Sequence, residues 1–204
     1  MSYLYLDTTH ILRTGLLSKK FEWLGFFENE KLKASSRIHG EIFEILRSNG
    51  LDIKEIERII YIAGPGSYTG MRLSEGMAQI FKWQGIETNS LYHFEIPLLM
   101  NIKKGYWFSE AFKGEYFCYS WDGEQNQNKL IDRESFLDLL KSIDIKECYS
   151  NNATGLKVDY VFNSTNDLII NAPEQILKRV VDEKWNRSVM YYRTEEKEFN
   201  VQKT

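Results

Sequence analysis

The sequence predicts an α/β protein built from two lobes, the second smaller than the first. Three features carry that expectation. Three short apolar segments with brief connections open the chain. The apolar period then lengthens to that of helices alternating with single strands, and a fainter run of the same order follows residue 105.

Taken in order, residues 3–7, 11–17 and 21–27 are rich in aliphatic and aromatic side chains and read as strands. Their connections, Thr8-Thr9-His10 and Ser18-Lys19-Lys20, are short, so neighbours should pair as antiparallel hairpins. Ile38, Ile42, Ile45 and Leu46 fall at helical spacing, and Asn49-Gly50 supplies a stop. Residues 58–63 form an apolar run ending in Gly64-Pro65-Gly66, the pattern of a buried strand entering a tight loop. A second helix is expected over residues 70–84, with Leu73, Met77, Ile80 and Phe81 as its apolar stripe. Residues 88–91 supply the next strand, and a helix follows through Ile96, Leu99 and Met100. Three strands, helix, strand, helix, strand, helix is the order of a ribonuclease-H-like lobe.

The second half follows the same plan more weakly. Residues 107–112 and 116–121 should pair around Lys113-Gly114-Glu115, with Leu130-Ile131 as a third strand after a polar turn at 122–128. Phe136, Leu137 and Leu140 mark a short helix; Ile176, Leu177, Val180 and Val181 mark another, with Pro173 in its first turn. No residue-level repeat accompanies this order, so the expected division into 1–104 and 105–204 rests on the elements alone.

With 204 residues, 43% of them hydrophobic, the chain can bury a core without covalent staples. Its net charge of −3 provides no general basic field for a phosphate backbone. The basic residues near the end (Lys184, Arg187, Arg193, Lys197, Lys203) are interleaved with Glu195, Glu196 and Glu198 and read as a solvated mixed-charge tail. Nothing reads as a signal peptide, and no stretch approaches the roughly 20 apolar residues of a membrane span. A cytoplasmic protein without a membrane partner is therefore expected. Cys118 and Cys148 lack metal-ligand spacing and are expected to be small buried hydrophobes rather than a disulfide.

The densest local signal is Gly64-Pro65-Gly66-Ser67-Tyr68-Thr69-Gly70-Met71-Arg72. Glycine serves where φ is positive or where another group must approach the main chain. A loop of this kind at a helix start can present backbone N–H groups to an anion. Ser67 or Thr69 can instead cap the helix with no ligand present. No Gly-Lys-Ser/Thr follows, so this is not a Walker loop. In the helix behind it, Gly70, Ser74 and Ala78 recur every four residues, and Gly76 adds a further small position. Glycine weakens a helix by about 1 kcal/mol, so close packing is implied, against either this chain or another. Asp7 ends the first strand, where a carboxylate commonly caps its own turn.

Several segments, in order, resemble the TsaB (YeaZ) family. They are Leu4-Tyr5-Leu6-Asp7-Thr8-Thr9, Arg37-Ile38-His39-Gly40-Glu41, the loop from Gly64 to Arg72, the hairpin Glu110-Ala111-Phe112-Lys113-Gly114-Glu115-Tyr116-Phe117, and Tyr191-Tyr192-Arg193. Glu110 and Phe112 stand where the family usually has Asp and Arg, Ile62 where it has glycine, and Ser74-Glu75 where it has a Gly-x pair.

The resemblance implies an actin-like fold of two ribonuclease-H-like lobes, the second reduced. It implies a scaffold subunit that binds a TsaD-type transferase, joined by a TsaE-type ATPase, for threonylcarbamoylation of adenosine beside the tRNA anticodon. Contact with tRNA would be indirect, and the subunit alone would form a homodimer. The family's interface helices correspond here to those carrying Ile38, Ile42, Ile45 and Leu46, and Gly70, Ser74, Met77, Ala78 and Phe81. The wider superfamily of sugar kinases, actin and Hsp70 would place a magnesium-bound phosphate near Asp7, with Gly64, Gly66, Ser67, Thr69 and Gly70 as a degenerate nucleotide loop.

The residues argue for a non-catalytic subunit without cofactor. His10, His39 and His93 form no pair spaced by four on a helix, as a transferase metal site of the TsaD type requires. After Gly123 the chain has a single glycine, Gly155, where a complete nucleotide clamp needs glycine loops from both lobes. Two alternatives remain open at this level: a self-associating protein that needs no such transferase, and a residual actin-like nucleotide-binding enzyme.

Overall fold

A computed structural model describes residues 1–29, 34–123, 125–152 and 154–192. Arg193 of the closing motif and the tail residues Glu195, Glu196, Lys197, Glu198 and Lys203 lie outside the described residues.

The first sheet has five strands: β1 (Ser2–Asp7), β2 (Leu12–Leu17), β3 (Trp23–Asn29), β4 (Ile56–Ile62) and β5 (Glu87–Leu91), in the order β3-β2-β1-β4-β5. The meander β1-β2-β3 is antiparallel, whereas β4 and β5 add in parallel. Parallel neighbours need crossovers, and these are α1 (Ala34–Ser48) and α2 (Tyr68–Trp83). Strand β3 begins two residues later than expected, because Phe21 takes a positive φ in the turn that Ser18 and Glu22 close.

Alternation along β1 divides the core. Leu4 and Leu6 face α1 and α2, meeting Ile38, Ile42, Ile45, Met77 and Phe81. Tyr3 and Tyr5 face the other way, into a layer made by α3 (Ile96–Leu99) and elements from the far end of the chain. Helix α1 stops at Gly50, whose positive φ lets the N–H of Leu51 reach the carbonyl of Leu46.

The second sheet contains β6 (Gly105–Glu110), β7 (Tyr116–Trp121), β8 (Asn126–Ile131), β9 (Cys148–Ser150) and β10 (Asn163–Ser164), in the order β10-β9-β6-β7-β8. Counted from its own first strand, this repeats the order and the strand directions of the first sheet. Helix α4 (Arg133–Ser142) stands where α1 does. The counterpart of α2 has shrunk to a three-residue 3-10 turn, Thr154–Leu156, which is the reduction of the second lobe in physical terms. The fold is therefore actin-like, with two ribonuclease-H-like halves.

Three features depart from expectation. Asn126 to Asn128 belong to β8 rather than to a turn, which is confined to the stretch where Asp122 caps Gln125. Strands β9 and β10 and helix α5 (Thr165–Asn171) carry too short an apolar pattern to read. The division at residue 104 is also crossed. Helix α5, the π-helical turn Glu174–Lys178 and α6 (Arg179–Asp182) return to the first sheet, where Ile169, Ile176, Leu177 and Val180 pack on Tyr5, Ile60 and Leu91. Among the described residues, no helix is long and apolar enough to cross a membrane.

Candidate functional site

The two sheets meet over a buried polar network at the C-terminal end of β1. Asp7 is fully buried. Its Oδ1 accepts hydrogen bonds from the Thr9 backbone N–H (2.9 Å) and the Thr9 hydroxyl (2.6 Å). Its Oδ2 faces the Arg13 guanidinium at 3.3 Å and His93 Nε2 at 3.2 Å. Arg13 is held from its other side by Glu28 at 2.5 Å. Burial alone raises the Asp7 carboxyl pKa, but His93, Arg13 and the Thr9 hydrogen bonds outweigh it and hold it well below the usual carboxylate range.

The second lobe joins through the same groups. Asn151 donates to the Thr9 hydroxyl, Asn166 donates to the Asn151 carbonyl, and Thr165 lies 3.4 Å from His93 Nδ1. The His93 ring lies parallel to that of Trp107 in β6, with centroids 6.2 Å apart. Asp7 thus spends its hydrogen-bonding capacity inside the protein. It is the base of an interlobe joint, and the magnesium–phosphate reading of Asp7 does not fit this arrangement.

The glycine-rich loop is explained in the same way. A Cβ on Gly64, whose φ is +123, would lie 2.6 Å from the carbonyl oxygen of Met190. One on Gly66 would lie 2.5–2.8 Å from Thr9, and one on Gly70 only 1.9 Å from the Thr8 carbonyl oxygen. The close approaches that require glycine are therefore made by this chain's own backbone. Ser67, not Thr69, caps α2, accepting from the Gly70 N–H at 3.1 Å. Thr8 continues the packing: its hydroxyl lies 2.5 Å from both the Gly70 carbonyl and the Ser74 hydroxyl. The stripe of Gly70, Ser74 and Ala78 is buried within the lobe, and the intramolecular explanation of it is the correct one.

The predicted interface residues also lie inside. Ile38, Ile42, Ile45 and Leu46 of α1 and Met77, Ala78 and Phe81 of α2 are buried in the first core. The apolar stripe of each helix is the face its own sheet requires, and Ile42, Met77 and Phe81 also line the groove between the two helices. The exposed apolar groups are others: Phe43 on α1 (62% exposed) and Ile80 and Trp83 on α2 (42% and 82%). That groove, of about 220 Å³, is lined by His39, Ile42, Ile53, Met77, Ile80, Phe81 and Gln84. The signal for Phe43 and Trp83 was present in the sequence, as large apolar residues falling off the periodic stripe.

A larger cleft of about 410 Å³ opens between the lobes above the polar network. Thr9, Gly66, Ser67 and Thr69 line it from the first lobe. Ser109, Glu110, Phe112 and Asn151 line it from the second, with Tyr192 of the C-terminal strap. That strap binds the edge of the first sheet. The Ser90 hydroxyl donates to the Arg187 carbonyl, Tyr92 donates to the Ser188 carbonyl, and the Met190 N–H donates to Ala63. Tyr191 then meets Tyr68 at 5.0 Å under Arg72, and the Tyr192 hydroxyl pairs with Ser109 at 2.5 Å. Burial pushes the Tyr192 phenol up to about 12. Glu110 is engaged by Lys157 at 2.7 Å.

No family model matches the sequence, and no curated protein matches it. Among solved structures, the chain is similar to YeaZ from Pseudomonas aeruginosa, with a TM-score of 0.57 and 13% identity over 92% of this chain and 100% of that one. It is equally similar to a Pseudomonas aeruginosa protein described as similar to the peptidase YeaZ, with a TM-score of 0.57 and 13% identity over 93% and 99% of the two chains. EutJ from Carboxydothermus hydrogenoformans follows with a TM-score of 0.46 and 11% identity over 86% and 89% of the two chains. The repeated sheet order and the likeness to the two Pseudomonas aeruginosa structures give the chain a YeaZ-like form of the actin-like fold.

Proposed function

We propose that the protein is a non-catalytic scaffold subunit of the TsaB type. It docks a TsaD-type transferase subunit through the outer face of α1 and α2, supporting threonylcarbamoylation of adenosine beside the tRNA anticodon. A TsaE-type ATPase then joins the pair, and tRNA is contacted through the partner rather than by this chain.

The carrying observation is the exposed apolar set Phe43, Ile80 and Trp83 on two adjacent helices. An exposed tryptophan beside other large apolar side chains favours a contact surface, since Trp is prominent among residues that dominate interface energies. The YeaZ-like fold and the ordered sequence motifs support the choice of partner. The engagement of Asp7 by Thr9, Arg13 and His93, and the filling of the glycine approaches by Thr8, Thr9 and Met190, support a scaffold over a phosphoryl-transfer enzyme.

The test is size-exclusion chromatography with light scattering on a mixture with the TsaD-type subunit of the same organism. A one-to-one complex is expected, lost on Trp83→Glu while the melting temperature stays unchanged. An assembly of this chain alone that loses its dimer on Trp83→Glu, with no complex in any nucleotide condition, replaces the proposal with a self-associating protein. A complex indifferent to Trp83→Glu and Phe43→Glu refutes the assigned surface.

A further inference from the structure

The chain leaves α6 at Lys184, whose φ of 53 lies in the left-handed region, and residues 185–192 then follow the outer edge of β5. The Asn89 side chain and the Ser90 N–H donate to the Trp185 carbonyl at 2.9 and 3.2 Å. The Ser90 hydroxyl accepts from the Arg187 N–H at 2.6 Å and donates to the Arg187 carbonyl at 2.8 Å. The Arg187 guanidinium meets Glu95 at 2.9 Å.

Beyond that edge the strap reaches three other elements. The Met190 N–H donates to the Ala63 carbonyl at 2.9 Å, just past β4. Tyr191 lies against Tyr68 in the first turn of α2. Tyr192 crosses to the second sheet, where its hydroxyl pairs with Ser109 of β6 at 2.5 Å and its ring lies 5.7 Å from that of Phe117 in β7. This short segment thus touches both sheets.

It is held differently from the strands it touches. Taken as whole residues, all of 185–192 are half-buried or exposed; the enclosed group is the Tyr192 phenol. Its hold on β5 and the turn after it runs largely through the side chains of Asn89, Ser90 and Tyr92 rather than through a backbone ladder. Segments with little buried area open at a lower free energy than the core.

We propose that residues 185–192 are a releasable clip, which seats and unseats as one unit and, when seated, fastens the second sheet to the first lobe. Unseating it uncovers the edge of β5 and the first turn of α2 together, while Phe94 and Asn151 keep the lobes joined. The proposal does not depend on docking through α1 and α2, and its test contains no partner subunit.

The experiment is native-state hydrogen exchange, followed by NMR on the full chain. The amides of Arg187 and Met190 report on the strap, and those of β4 report on global unfolding. In the wild type the two strap amides should exchange at least about tenfold faster than β4, after correction for intrinsic rates. Ser109→Ala removes the second-lobe anchor without adding volume. It should speed both strap amides about fivefold, the effect of one hydrogen bond, although their own acceptors lie in the first lobe. The β4 amides should quicken by the same factor, because the Ser109–Tyr192 pair is broken in both open states. Ser90→Ala, at the first-lobe anchor, should act on Met190 in the same direction. Strap amides that exchange no faster than β4 overturn the proposal, since the segment then opens only with the core. So does a Ser109→Ala protein in which β4 quickens and the strap amides do not, because Tyr192 then stays in place when the rest opens. Unchanged rates at every amide overturn it as well, because this contact then fastens nothing.

Discussion

Helix α2 allows one substitution to be made at two sites with opposite expected signs. Gly70 and Gly76 lie in the same helix, and alanine is favoured over glycine there by about 1 kcal/mol. At Gly76 a Cβ meets nothing within 4 Å, so Gly76→Ala should stabilise by about that amount. At Gly70 the Cβ would stand 1.9 Å from the Thr8 carbonyl oxygen and 2.7 Å from the Ser67 hydroxyl. The Thr8 contact is with backbone, so relief must come from shifting the turn that leads to Asp7. Overpacking of this kind costs about 1–3 kcal/mol, and displacing the Ser67 cap costs about 1 kcal/mol more. After the propensity gain, a net loss of about 2 kcal/mol is expected. For a chain of this size that is a fall of roughly 4–8 °C in melting temperature, against a rise of roughly 2–4 °C for Gly76→Ala. Thermal unfolding followed by circular dichroism on the isolated chain reads both. A Gly70→Ala protein as stable as the wild type would refute the intramolecular account of the small-residue stripe. It would return that stripe to the role of a subunit contact.

Asp7→Asn should destabilise by about 3 kcal/mol, because it leaves the buried Arg13 with Glu28 as its remaining carboxylate. The folded pKa of Asp7 lies below its unfolded value, so its stabilisation is present above about pH 4 and fades as pH falls toward the folded value. The difference in denaturation midpoint between wild type and Asp7→Asn should therefore narrow on acidification; a gap that widens would contradict the network. Burial pushes both Cys118 and Cys148 thiols up to about 12. At pH 8 the thiolate is then about one part in ten thousand, so iodoacetamide should label neither until the chain unfolds. Rapid labelling of the folded protein, read by mass spectrometry, would show that the core between the second sheet and α4, which holds both cysteines, opens.

The first lobe was legible because its signals are long and periodic. Strands β1 and β2 are buried throughout their six residues each, and α1 and α2 span 15 and 16 residues with clear apolar stripes. The second lobe was only half legible. Strand β9 has three residues and β10 two, too few for alternation to show, and their pairing is fixed by β6 rather than by local preference. The candidate site followed the same division. The glycine loop announced a close approach but not what approaches, and that turned out to be Thr8, Thr9 and Met190. Asp7 announced a strand-end carboxylate, while its partners Arg13 and His93 sit 6 and 86 positions away and carry no shared pattern. In the helices, periodicity marks most of the face turned inward, although Ile80 on the expected α2 stripe is 42% exposed, and outliers such as Trp83 mark the surface.

The joint between the unequal lobes has an apolar part and a polar part. The second lobe lacks a second crossover helix, and the returning helices α5 and α6 pack on the first sheet, with Leu168 of α5 reaching the second sheet's cluster as well. The second sheet is tied to the first lobe by an apolar cluster, in which Phe94 packs on Trp107, Phe117 and Tyr119, and by directional contacts beside it: Asn151 to Thr9, Asn166 to Asn151 and Thr165 to His93. Hydrogen bonds of this kind contribute about 1 kcal/mol each but are exacting in geometry, so they set an angle more than they supply adhesion. A joint built this way favours one interlobe angle.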